Sequence, residues 1–124
     1  MTQVLFVDDD LMSLQLMAKA SLLLGYQALT CASPIHAVDM TREMHPDVVV
    51  VDMNMHEMDG IAVIRAIRAD AATQHIPIIV LSATDIEQGL PPTNAAGANG
   101  YLSKPVDFDE LSAAIDRVQM VRNQ

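Results

Sequence analysis

The chain has 124 residues, 51% of them hydrophobic and 19% charged, with a formal net charge of -9. That length buries one core, so a single domain over 1–124 is expected and two independent ones are excluded. The acidic balance, with no Lys/Arg stripe to offset it, repels phosphate backbones and argues against direct nucleic-acid binding, and no apolar run approaches the roughly 20 residues that span a bilayer.

From the N-terminus, the chain alternates short apolar runs with longer amphipathic stretches. VLFV at 4–7 reads as a strand, LMSLQLMAKASLLLG as a helix and YQALTC as a second strand. Cys31, the only cysteine, has no partner for an internal disulfide. With no basic-then-apolar leader ahead of the first strand, it fits a buried small residue in a reducing, cytoplasmic setting. Ser33 and Pro34 predict an N-cap and first helical position for a helix over 34–44.

VVVV at 48–51 reads as a strand buried on both faces, and a helix over 61–69 follows. IPIIVLS at 76–82 and GYLS at 100–103 supply two more strands. Between them, Gly89, Pro91 and Pro92 interrupt the pattern, so the fourth helix should be short or irregular. Phe108, Leu111, Ile115 and Val118 keep helical spacing behind a capping-box variant of Asp107 and Glu110, in a last helix expected to end near Val121. The alternation predicts an α/β fold of five strands and about five helices around a parallel sheet.

Ligands of open parallel α/β sheets bind beyond the carboxyl ends of the strands, so the polar residues that end each apolar run are the informative ones. Asp8, Asp9 and Asp10 follow the first strand, Asp52 and Asn54 the third, Ser82 and Thr84 the fourth, and Lys104 the fifth. Each has a plain structural role available, as turn, cap or solvated charge. Together at one sheet edge, the acids would repel one another and be driven toward protonation unless a cation or Lys104 offset them. Asp9, Asp52 and a backbone carbonyl near Asn54, with Asp8 in reach through water, form an all-oxygen set that suits Mg²⁺ better than zinc. His36, His45, His56 and His75 show no metal-binding spacing, and His56 reads as a loop residue.

VLFVDDD, VVVVDMNMHEMDG, VLSAT and GANGYLSKP, in this order along almost the whole chain, resemble the receiver domain of two-component response regulators. The resemblance implies the flavodoxin-like strand order 2-1-3-4-5 with helices on both faces. It implies that Asp52 is the phosphoacceptor, taking a phosphoryl group from a histidine kinase or histidine phosphotransfer protein. Asp8, Asp9, Asp52 and the Asn54 carbonyl would hold Mg²⁺ (or Mn²⁺), and Lys104 would neutralise phosphoryl charge. Ser82 and Tyr101 would form the switch, Ala83 would leave the phosphoryl group accessible, and Asn54 and Thr84 would tune dephosphorylation. Lys104–Pro105 would be a cis peptide.

On this reading the chain is not an enzyme acting on a separate substrate. It catalyses its own phosphorylation and slow autodephosphorylation, and a downstream protein or attached effector responds. The alternative within the family is a degenerate receiver that works as a phosphorylation-independent interaction module. A phosphatase with an aspartate nucleophile would want a second acid where Asn54 stands, and a flavin or nucleotide module would not place Asp8–Asp10 in its phosphate loop. Two features depart from the family pattern: His56 and Glu57 occupy positions where proline, often followed by glycine, is usual, and the Gly89/Pro91/Pro92 interruption falls on a helix that many receivers use to dock partners.

Overall fold

Short apolar runs form the strands, and the stretches between them fold as helices that cover both sides of the resulting sheet. The computed structural model describes residues 1–122, in the order β1 (Gln3–Val7), α1 (Leu11–Leu24), β2 (Gln27–Cys31), α2 (Ala37–Met44), β3 (Val48–Asp52), α3 (Gly60–Ala69), β4 (Ile78–Ser82), α4 (Ile86–Ala96), β5 (Gly100–Ser103) and α5 (Phe108–Arg122). All five strands pair in parallel in the order β2-β1-β3-β4-β5, which is the expected flavodoxin-like topology.

Side chains alternate across the sheet with the period of two that a strand imposes. Val48 and Val50 pack with Phe6, Leu14, Leu111 and Ile115, on the side of α1 and α5. Val49 and Val51 pack with Leu5, Val63, Ile64, Ile67 and Ala96, on the side of α2, α3 and α4. Each of the four valines is at most 1% exposed, so β3 is the central strand, covered on both faces.

Local signals set most helix ends. Asp10 caps α1 by accepting the Met12 N–H at 3.1 Å, and Gly25 closes it in the left-handed region at φ 86, where a Cβ would be strained. Asp107 accepts the N–H groups of Asp109 at 2.8 Å and Glu110 at 3.2 Å, in keeping with its expected role as a cap. The segment after Ser33 differs from expectation. Pro34–His36 forms a 3-10 turn and the α-helix begins only at Ala37; the Ser33 hydroxyl lies 3.0 Å from His36 Nδ1 and makes no capping bond to the backbone.

The fourth helix is irregular rather than short. α4 runs eleven residues with Pro91 and Pro92 inside it. Neither proline has an N–H to donate to Glu87 or Gln88, but both of those residues are exposed and water can solvate their carbonyls. The second half of the helix is anchored by buried Thr93, whose hydroxyl donates to the carbonyls of Gly89 at 3.1 Å and Leu90 at 3.0 Å.

Candidate functional site

The carboxyl ends of β1, β3 and β5 converge on a cleft of about 470 Å³ lined by Asp8, Asp9, Asp10, Ser13, Asp52, Asn54, His56 and Lys104. Asp52 is the last residue of β3 and is 4% exposed, held at the cleft floor by the valines before it. Lys104 Nζ donates to Asp52 Oδ1 at 2.7 Å, and the Asn54 backbone N–H reaches the same oxygen at 3.3 Å. The Lys104–Pro105 bond is cis, as the resemblance implies.

Carboxylate oxygens of Asp8, Asp9 and Asp52 lie within 4.8 Å of one another. Asp8 is buried at this edge and lies beside the Asp52 charge. Burial pushes its pKa up to about 6, with further upward pressure from the Asp52 charge and a hydrogen bond with Asp52, against the opposing Asp10 N–H and Lys104 charge. Asp10 turns away from the cluster, bonding the Ser13 hydroxyl at 2.9 Å in addition to its cap. The donors are hard oxygens at one sheet edge, partly open to solvent, which fits a small divalent cation that keeps several waters.

His56 does more than a loop residue is expected to do. Its backbone N–H donates to Asp9 Oδ2 at 2.7 Å and its ring Nδ1 lies 2.9 Å from the same oxygen. Backbone and ring bonds from His56 hold the Asp9 carboxyl below its usual range, and Asp9 in turn raises the imidazole. A cation entering the cluster must share Asp9 Oδ2 with His56 or take the other oxygen. Sequence carried one clue to this contact: His56 stands four positions after Asp52, within reach of the acidic loop after β1.

Ser82 and Tyr101 stand next to the cleft but do not line it. Ser82 is 2% exposed at the end of β4, and its Oγ accepts the Thr84 N–H at 3.0 Å. Tyr101 is buried in β5, and its hydroxyl donates to the Thr84 carbonyl at 2.6 Å. Backbone atoms of Thr84 thus connect Ser82 to Tyr101, while the side chains of Ala83 and Thr84 lie on the exposed rim.

A family model described as the response regulator receiver domain matches residues 4–116. The polar-differentiation response regulator DivK of Brucella ovis is 28% identical over 112 residues, covering 90% of this chain and 91% of DivK. The transcriptional regulatory protein ZraR of Escherichia coli is 32% identical over 114 residues, which cover 92% of this chain but 25% of ZraR. Among solved structures, the chemotaxis protein CheY4 of Vibrio cholerae superposes with a TM-score of 0.88 at 29% identity, covering 95% of this chain and 98% of CheY4. The receiver domain of a sensor histidine kinase from Pseudomonas aeruginosa, with a magnesium ion coordinated in its active-site cleft, superposes with a TM-score of 0.86 at 28% identity, covering 96% of this chain and 98% of that one.

Proposed function

The chain belongs to the response regulator receiver domain family, phosphorylation-dependent switches of two-component signalling, and from that premise we propose that Asp52 accepts a phosphoryl group from a phosphohistidine donor and that Ser82 and Tyr101 convert its arrival into a change of surface. The observation that carries the reading is the convergence on Asp52. It is a buried strand-end carboxylate, bonded to Lys104 and set among carboxylate oxygens within 4.8 Å.

In the proposed step a free oxygen of Asp52 forms a bond to phosphorus as the bond from phosphorus to the donor imidazole nitrogen breaks. The donor ring carries a proton on its other nitrogen, so the electron pair of the broken P–N bond stays on the imidazole and it leaves as the neutral base. Asp8, Asp9, Asp52 and the Asn54 carbonyl would hold Mg²⁺, which when bound would supply positive charge to the phosphoryl oxygens. Lys104 moves its ammonium from the carboxylate to the phosphoryl group, a charge stabilisation that needs no new side chain. Water later returns the phosphoryl group as phosphate, at a rate tuned by Asn54 and Thr84 on the rim.

Ser82 is the element that senses the product. A phosphoryl oxygen that draws the Ser82 hydroxyl forward competes with its bond from Thr84, and the Thr84 carbonyl is the acceptor for Tyr101. Leu11, Met12 and Leu16 stand exposed on α1, whose first residues follow the acidic loop, and offer an apolar surface suited to the donor protein. Histidine kinases or phosphotransfer proteins are the proposed donors, a downstream protein or attached effector the proposed recipient, and the cytoplasm the proposed setting. Among the described residues no helix is long and apolar enough to cross a membrane.

Incubation with a small phosphodonor such as phosphoramidate and Mg²⁺ tests the reading by intact mass and peptide mapping. Wild type should gain one phosphoryl group at Asp52, and Asp52→Asn none. Label that persists in Asp52→Asn, or maps elsewhere, refutes the assignment.

A further inference from the structure

Tyr101 packs with the core on the side of α2, α3 and α4, and its bond to the Thr84 carbonyl aims the ring at the start of α4. There α4 presents Gly89. A Cβ at residue 89 would stand 2.7 Å from Tyr101 Cζ and 2.9 Å from Cε2, where ordinary contact begins at 3.4 Å. No side chain fits while the ring keeps its place.

Backbone geometry gives no competing reason for this glycine. Gly25 and Gly97 are the described glycines with positive φ, and Gly89 lies inside a helix, where alanine is intrinsically favoured. What residue 89 supplies is space. The Gly89 N–H, like that of Gln88, bonds the Asp85 carbonyl, at 2.8 Å and 3.0 Å respectively, so the notch is fixed to the turn that opens α4.

We infer that Gly89 is the positioning residue for Tyr101: the absent side chain is the notch that accepts the ring, and it makes the first turn of α4 the element that registers where the ring sits. The functional consequence rests on the proposed role of Tyr101 in the switch; the notch itself does not. A side chain at 89 and an inward ring exclude each other, so a substitution there acts on the ring without touching the cleft.

The chain has two tyrosines, Tyr26 and Tyr101, so ¹⁹F NMR of protein labelled with fluorotyrosine gives one resonance for each, assigned with Tyr101→Phe. In Gly89→Ala the Tyr101 resonance should move and acquire the H₂O/D₂O isotope shift of an exposed ring, while that of Tyr26 stays put. A Tyr101 resonance that keeps its position and solvent insensitivity in folded Gly89→Ala overturns the inference.

Thermal unfolding keeps the test decisive if Gly89→Ala is poorly folded. Alanine at 89 should lower the midpoint in the wild-type background and raise it in the Tyr101→Val background, where helix propensity alone remains. The same change in both backgrounds also overturns the inference. Finally, Gly89→Ala should bind beryllofluoride with Mg²⁺ roughly tenfold more weakly than wild type. A displaced ring with unchanged beryllofluoride affinity supports the notch and instead removes Tyr101 from the switch.

Discussion

Asp8 is the residue on which the electrostatics of the cleft press hardest. Its pKa of about 6 against an ordinary 3.8 means that the folded protein retains a proton between those values that the unfolded chain has lost. Stability of the metal-free protein therefore falls as pH rises through that window, and the cost is complete above it. Asp8→Asn should raise metal-free stability at pH 7.5 by about 1–2 kcal/mol, a figure discounted for solvent screening, with the gain fading toward pH 4. Denaturant unfolding in chelator at several pH values measures it; a gain that does not depend on pH contradicts the account. Mg²⁺ binding to wild type should also weaken below about pH 6, as protons compete for Asp8.

Sequence pattern reaches some of these residues and not others. Asp8, Asp9, Asp52 and Lys104 could be placed from sequence because each ends an apolar run and a parallel sheet gathers such ends at one edge. The grip of His56 on Asp9 could not, because it depends on the path of an irregular loop and on a ring orientation that no periodicity encodes.

At the scale of elements, α4 departs most from expectation. Gly89, Pro91 and Pro92 are helix breakers by intrinsic preference, yet all three lie within the helix. Tertiary context resolves the conflict: the glycine makes room for Tyr101, the prolines face solvent, and Thr93 fastens the following turn. The cost remains as missing N–H donors between the two halves of the helix. Pro91→Ala with Pro92→Ala should restore them, stabilising the protein by about 2 kcal/mol after allowance for a more flexible unfolded chain. Slower hydrogen exchange across α4 is the expected sign. Unchanged exchange there would show that the prolines do not weaken the helix.

At the scale of the whole molecule, the sheet is a frame that delivers strand ends to one place. Short apolar runs separated by helical stretches were enough to read five parallel strands, while the strand order came from the family resemblance. Strand β3 carries the most of this frame, with valines against both helical layers. Val50→Ala opens a cavity two residues before Asp52 and should cost about 2–3 kcal/mol. Phosphodonor labelling of Asp52 should survive well below the lowered unfolding midpoint, because the neighbouring strands still hold register. Loss of labelling in fully folded Val50→Ala would mean that β3 does more than position the acid.

On the proposed reading, charge arriving at Asp52 is transmitted through Ser82 and Thr84 to Tyr101 and α4. A Mg²⁺-dependent beryllofluoride titration followed by backbone NMR, on wild type and Asp52→Asn, tests it most directly. Saturable shifts are expected in wild type alone, running from Asp52 to Ser82, Thr84 and Tyr101 and on into the first turn of α4. Shifts of equal size in Asp52→Asn, or shifts confined to the acidic loop and absent from Tyr101, would contradict it.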